Sequence, residues 1–284
     1  MSNGNDAGAG WAGIIRQTAH EIADDNCLGL AAQLAFYFLL ALFPALLFLV
    51  ALIGYVPVDH ALDELVLALG AVAPGEFVTL IRRQIDAVAA GESAGLLTLG
   101  LLGALWSSSA AVVAIIDALN RAYDVAEWRP WWKRRLLAIG LTVALGLFTV
   151  VSMALVITGP DLAFRAADWL DVTPLFAVAW GLLRWPVMVA CVVIAVDLVF
   201  YVAPNRPVRW AWVTPGALVA TAAWIAVSFG FKYYVSNFGD YTATHGAIGG
   251  AIVTMLWFYV SSLAILVGAE LNAVLEQARR PVSD

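Results

Sequence analysis

The chain has 284 residues, of which 62% are hydrophobic and 13% charged, with a mean hydropathy of +0.86. A soluble domain carries about 25% charged residues, so this composition excludes an ordinary soluble fold and points to a polytopic membrane protein. A net charge of −6 with no basic stripe excludes a nucleic-acid-binding face.

In chain order, residues 1–26 form a polar, partly acidic cytoplasmic segment in which Trp11, Ile14, Ile15 and Ile22 mark a short interfacial helix. No cleavable signal is expected there, because the first apolar run is too long for an h-region. A membrane helix needs about 20 mostly apolar residues. Six segments qualify: 27–58, interrupted by Pro44; 94–118; 136–159; 174–203; 210–231, with Pro215 suited to a first turn; and 246–272. Between the first two, residues 59–92 read as amphipathic helices on the outer face, with Leu62, Leu65, Leu69 and then Phe77, Ile81, Ile85 at helical spacing. Residues 277–284 form a cytoplasmic tail. The predicted fold is all-α, a membrane domain of six transmembrane helices over 27–276 with amphipathic interfacial helices.

Orientation follows from Lys and Arg in the loops. With the N-terminus inside, the inner segments hold Arg16, Arg121, Arg129, Lys133, Arg134, Arg135, Arg206, Arg209, Arg279 and Arg280, ten in all. The outer loops hold four, Arg82, Arg83, Arg165 and Lys232. Both termini are therefore expected in the cytoplasm. Cys27 and Cys191 lie in or beside apolar runs and read as buried small hydrophobes, with no disulfide.

Lipid tails are as apolar as Leu, so membrane helices associate by close backbone approach between small residues. Candidate seams are Gly100, Ala104 and Ser108, with Gly103, Ser107 and Ala111 alongside; Ala222, Ala226 and Gly230; and Gly246 with Gly250. The run "WSSSA" (106–110) reads either as a hydroxyl-lined path or as a tight seam whose hydroxyls bond the preceding turn.

Intramembrane charges are expensive and often functional. Arg184 and Asp197 share the fourth span, 13 positions apart, which places them about 140° apart around the helix and about 20 Å along it. They cannot neutralise each other. Arg184, beside the kink-forming Pro186, is expected to snorkel, to bond within the bundle, or to contact a lipid head group. Asp117, Asp197 and Glu270 each lie near the inner end of a span running outside to inside. That position opposes the helix dipole, which favours cations at a C-terminus. Asn120, Asn205 and Asn272 lie at the same level. Two readings stand: structural pairing, with Asp117 and Arg121 spaced for an i,i+4 ion pair, or a polar vestibule of Asp117, Asn120, Arg121, Asp197, Asn205 and Glu270. The pair Asp24–Asp25 has no evident partner. His20, His60 and His245 are not at metal-ligand spacing, and HExxH, CxxC, GxSxG and phosphate-binding glycine motifs are absent from the sequence. No catalytic residue, cofactor or metal is expected.

"LAAQLAFYFLLALFPALLFLVALIG", "LWSSSAAVVAIIDALNRAYDVAEWRPWWKRR", "YVAPN" with "TPGALVATAAW", and "HGAIGGAIVTMLWFYVSSLAILVGAELNAVLE" resemble the YihY/BrkB family of bacterial inner-membrane proteins. The resemblance covers residues 14–276, and "GAELN" at 268–272 is its most specific piece. It implies six spans, a bacterial plasma membrane and no settled biochemical activity. A tRNA-processing ribonuclease label once attached to the family, a virulence label attaches to part of it, and movement of envelope lipids has been suggested for some members. The family pattern falls here on Pro44, Asn120, Pro204, Asn205, Gly216, Gly246, Gly268 and Glu270. His245 departs from the Tyr commonly found there. The leading expectation is a membrane protein that handles or translocates a lipid-like amphipathic substrate. The rivals are a non-transporting scaffold for envelope assembly and an intramembrane enzyme. The partners expected are the lipid bilayer and such a substrate, with no nucleic acid; a homo-oligomer is left open.

Overall fold

The computed structural model describes residues 10–53, 94–170, 173–206, 213–238 and 241–279, and these are helical with short connections. The helices are α1 (Trp11–Asp24), α2 (Cys27–Ile53), α3 (Ala94–Ala122), α4 (Trp131–Leu170), α5 (Thr173–Val202), α6 (Pro215–Phe238) and α7 (Tyr241–Arg279). Residues 59–92, where the outer amphipathic helices are expected, lie outside the described residues. Among the described residues, five helices, α3 to α7, are long and apolar enough to cross a membrane, or six if α1 and the start of α2, bent by 61°, count as one span.

Local chemistry sets the breaks. Between α1 and α2, Asn26 adopts a left-handed φ of 52°, which Asn tolerates better than most residues. Its side-chain oxygen accepts from the Gly29 amide at 3.3 Å and caps α2. At the end of α3, Asp124 also has φ 52°. The Val125 amide bonds the Asn120 carbonyl at 2.8 Å, and the Asp124 amide bonds that of Arg121 at 2.9 Å, a Schellman closure. Thr214 caps α6 through the Ala217 amide at 3.2 Å, with Pro215 at the first helical position as expected. The expected third span, 136–159, starts instead at Trp131, because the Pro130 carbonyl accepts the Lys133 amide and the "WWKRR" run forms the first turns. The last helix likewise runs past residue 276 to Arg279, and α1 packs against it.

The six long helices close a ring in the order α2, α3, α4, α5, α6, α7, back to α2. The core gathers at one end, where α3, α5 and α7 finish and α2, α4 and α6 begin. Ile116, Leu119, Tyr123, Ala138, Phe200, Ala217 and Ala269 form one buried cluster there, and Cys27, Ala31, Leu34, Ala118 and Leu266 a second. Large apolar side chains such as Phe36, Leu102, Leu147 and Phe229 face outward, as lipid-facing residues should.

The tightest approach is between α6 and α7. A Cβ built on Gly216 overlaps the Gly268 carbonyl oxygen and the Asn272 amide, and one on Gly268 overlaps the Gly216 carbonyl and lies 2.6 Å from the Ala220 Cβ. On α3 the packed positions are Ala104, Ser108 and Ala111, whereas Gly103 and Ser107 are exposed and a Cβ at 103 meets nothing within 4 Å. The expected Gly103–Ser107 seam is thus corrected: small-residue spacing repeats on two faces of α3, and only one meets a neighbour. Ser108 and Ser109 bond the Leu105 and Trp106 carbonyls at 3.2 and 2.8 Å, so these hydroxyls turn back on their own helix. The packing of Gly246 and Gly250, both on α7, lies outside the described residues, as do the surroundings of the Arg184 side chain on α5. Helices α2 and α5 continue through Pro44 and Pro186.

Gly268→Leu should therefore destabilise the protein by about 3 kcal/mol or more, since the obstructing atoms include backbone and cannot rotate away. Gly103→Leu should stay within about 0.5 kcal/mol of wild type. Detergent melting curves of the two variants check this; equal melting temperatures would contradict the α6–α7 contact.

Candidate functional site

Asp197 is 2% exposed near the end of α5. It accepts a hydrogen bond from the Thr214 amide at 3.0 Å and another from the Thr214 hydroxyl. Thr214 caps α6, so the carboxylate sits against the N-terminus of the next helix, where the dipole favours an anion. Asn272 on α7 completes the pin: its Nδ2 donates to Thr214 Oγ1 at 2.8 Å, and its Oδ1 accepts from the Gly216 amide at 2.8 Å.

Asp117, near the end of α3, ion-pairs with Arg134 in the opening turns of α4 at 2.8 Å. The expected pairing with Arg121 is corrected, because an arginine on the adjacent antiparallel helix reaches the carboxylate first. Glu270 on α7 is 1% exposed. The thiol of Cys27, the first residue of α2, donates to its Oε1 at 3.2 Å. Cys27 is buried and acts as a donor, not as an inert hydrophobe, while Cys191 is half-buried; both are free thiols. Of the acidic pair at 24–25, Asp24 meets His20 at 2.9 Å, and Asp25 lies where the charge of Arg121 reaches it.

A second knot lies beside these. Asn120 accepts the Asn205 amide at 2.7 Å and donates to Glu127 Oε2 at 2.8 Å. Glu127 takes a two-pronged bond from Arg129, at 2.9 Å from Nε and 2.7 Å from Nη2. Arg129 also donates to the Ala203 carbonyl at 2.8 Å, and Asn205 Nδ2 donates to the Ala126 carbonyl at 3.1 Å. The loop after α3 is thereby clamped over the end of α5, whose last carbonyls need donors.

Asp117, Asn120 and Arg121 line an open cavity of about 450 Å³ together with Asp25, Asp124, Val125 and Glu127. The six expected vestibule residues do not all meet there. Asn205 touches it through Asn120, Glu270 bonds Cys27 and is not among its lining residues, and Asp197 belongs to the separate pin on α6. Sequence reasoning missed Asp25, Asp124, Glu127, Arg129 and Thr214. The available signals were the caps: a Thr before Pro215, and acidic residues at a break between helical runs.

Electrostatically the cavity is uneven. Burial pushes the Asp25 carboxyl above the usual aspartate range, and the charges of Asp124 and Glu21 push the same way against that of Arg121. Burial also acts upward on Glu127, but hydrogen bonds from Arg129 and Asn120 outweigh it and hold that carboxyl below its usual range. Among the described residues, no group of three His, Cys, Asp or Glu is placed to hold a metal ion.

The long apolar helices, the ring packing and the polar pins at one end define an all-helical, polytopic membrane protein. The chain belongs to the virulence factor BrkB family, whose profile matches residues 18–284. It is 37% identical over 265 residues to the putative ribonuclease-like protein YfkH of Bacillus subtilis, covering 93% of this chain and 94% of that one. Against a UPF0761 membrane protein of Alkalilimnicola ehrlichii it is 31% identical over 264 residues, covering 90% of this chain and 57% of the relative. The UPF0761 membrane protein RSc1559 of Ralstonia nicotianae is 27% identical over 276 residues, with 94% and 59% covered. The chain thus spans well under two thirds of the length of these two UPF0761 relatives. No solved structure matches it.

The two shifted carboxyls predict opposite pH slopes. Asp25, raised from 3.8, contributes stability that is fully present below that value and lost as pH rises through the raised one. Glu127, lowered from 4.5, contributes stability that is present above that value and lost as pH falls through the lowered one. The melting-temperature difference between wild type and Asp25→Asn should shrink with rising pH, and that for Glu127→Gln should shrink with falling pH. Two slopes of the same sign would contradict the geometry.

Proposed function

We propose that this protein handles a lipid-like amphipathic molecule of the bacterial envelope at the inner membrane, without catalysing a reaction on it. One observation carries this reading. An apolar hollow of about 270 Å³ lies among four helices, lined by Phe38 and Leu42 of α2, Ala111 and Val112 of α3, Leu145 and Gly146 of α4, and Phe258 of α7. Its hydroxyls are turned away: Ser108, Thr142 and Thr149 donate to the Leu105, Ala138 and Leu145 carbonyls at 3.2, 2.8 and 2.8 Å. Such a space gives a water molecule too few partners and suits hydrocarbon. The carboxylate-lined cavity begins five residues along α3, at Asp117, about 140° round the helix. The two recesses therefore open on different faces. The ribonuclease-like name of the Bacillus relative is not carried into this reading, because a net charge of −6 and a cavity rich in carboxylates repel a polyanion.

The inner-membrane placement and cytoplasmic termini rest on the ten-to-four basic asymmetry. A cysteine placed at Ala126 should label only when the inner face is opened; labelling of intact cells would contradict it. The scaffold reading is favoured by a different observation, the extent to which Asp117, Glu127, Asp197 and Glu276 already have partners across helices or loops.

Native mass spectrometry after mild delipidation separates the two. Gly146→Phe, which fills the hollow, should weaken lipid retention about tenfold if it displaces two methylenes at about 0.8 kcal/mol each. Unchanged retention in the folded variant would reject the hollow as a lipid site and leave the scaffold.

A further inference from the structure

A third recess, of about 250 Å³, lies between α3 and α4 and is lined by Trp106, Val113, Trp131, Arg134 and Arg135. Its position is the first clue. The apolar span of α4 begins at Trp131, so Trp131, Arg134 and Arg135 lie in its opening turns. Trp106, Trp128 and Trp131 are all more than half exposed, and Trp128 and Trp131 flank the start of the α4 span, as is usual for interfacial tryptophan.

The arginines supply the second. Arg134 is neutralised by Asp117 at 2.8 Å. Arg135 has no carboxylate partner among the described ion pairs. Its guanidinium lies 4.0 Å over the Trp106 ring, and it donates to the Trp106 carbonyl. This stacking holds the planar fork in one orientation. The Arg135 Nε is buried and has no acceptor in the protein. The outer guanidinium nitrogens make one bond, to that carbonyl, and their remaining N–H donors suit a ligand that brings an anionic oxygen. Lys133, stacked 5.4 Å over Trp132, adds a second cation with no carboxylate partner among the described ion pairs. On a chain whose net charge is −6, this is a local cationic patch.

The surroundings fit the rest of such a ligand. Leu102 and Trp106 are exposed on α3 four positions apart, and Val113 follows at helical spacing on the same face. An apolar strip thus runs along α3 on both sides of the arginine. We propose that this recess binds an anionic phospholipid, with its phosphodiester on Arg135 and one acyl chain along Leu102, Trp106 and Val113. Arg is suited to this, since its fork meets phosphate oxygens two at a time. The site is separate from the hollow among α2, α3, α4 and α7 and does not depend on it.

The test uses the full chain in phosphatidylcholine vesicles containing, at equal mole fraction, brominated phosphatidylglycerol or brominated phosphatidylcholine. Bromine quenches nearby tryptophan, and Trp106 and Trp131 line the recess. Quenching should favour phosphatidylglycerol, and Arg135→Gln should lower that preference about fivefold, the weight of one cation at a membrane surface. Arg135→Lys, which keeps the charge and gives up the fork, should fall between, and it serves if the Gln variant does not fold. Gly146→Phe should leave the preference intact whatever it does to the hollow. Equal quenching by the two lipids overturns the proposal, as does a preference untouched by both Arg135 variants. Loss of the preference with excess inorganic phosphate would assign the recess to free phosphate and also overturn it.

Discussion

Three helices each carry a carboxylate seated against the beginning of a neighbour, five residues before the helix end for Asp117 and Asp197 and nine for Glu270. Asp117 on α3 meets Arg134 in the opening turns of α4, Asp197 on α5 meets the capping residue Thr214 of α6, and Glu270 on α7 meets Cys27, the first residue of α2. A carboxylate near the C-terminus of its own helix is unfavourable. Placed against the start of the next helix, Asp197 answers the Thr214 amide, Asp117 a cation and Glu270 a thiol. In a bilayer there is little hydrophobic drive between helices, so these contacts and close glycine approaches must fix which helices touch and at what height. The ring α2 to α7 closes through three such junctions at one end of the bundle.

The remaining polar architecture builds on that end. Asn272 binds both Thr214 and the Gly216 amide, so the pin that holds Asp197 also brings α6 and α7 to the distance at which Gly216 and Gly268 face each other without side chains. Asn120 ties the loop after α3 to the end of α5 and thereby shapes one wall of the carboxylate-lined cavity. The same depth that gathers these groups leaves the middle of the bundle to apolar side chains, where the hollow among α2, α3, α4 and α7 lies.

Much of this was legible in the sequence where the governing rule is local. Twenty-residue apolar runs locate spans because the bilayer has a fixed thickness. Pro215 and the serines of "WSSSA" behave as one-helix chemistry dictates, and Arg184 and Asp197 share one continuous helix that keeps them apart. The shared depth of Asp117, Asp197 and Glu270 was also visible. Their partners were not. Asp117 had an arginine at the right spacing on its own helix, yet Arg134 across a loop takes it. Cys27 and Glu270 are 243 positions apart, and no local pattern connects them. Gly103 and Ser107 failed as a seam because spacing identifies a face and not what lies opposite.

The central claim is that these carboxylates act on the start of the neighbouring helix. A double-mutant cycle on Asp197→Ala and Thr214→Ala, read as unfolding free energy in detergent, tests it most directly. The account predicts a coupling of at least about 1 kcal/mol, as expected of side chains within one hydrogen-bonded network. A coupling indistinguishable from zero, with both single variants as stable as the wild type, would contradict it.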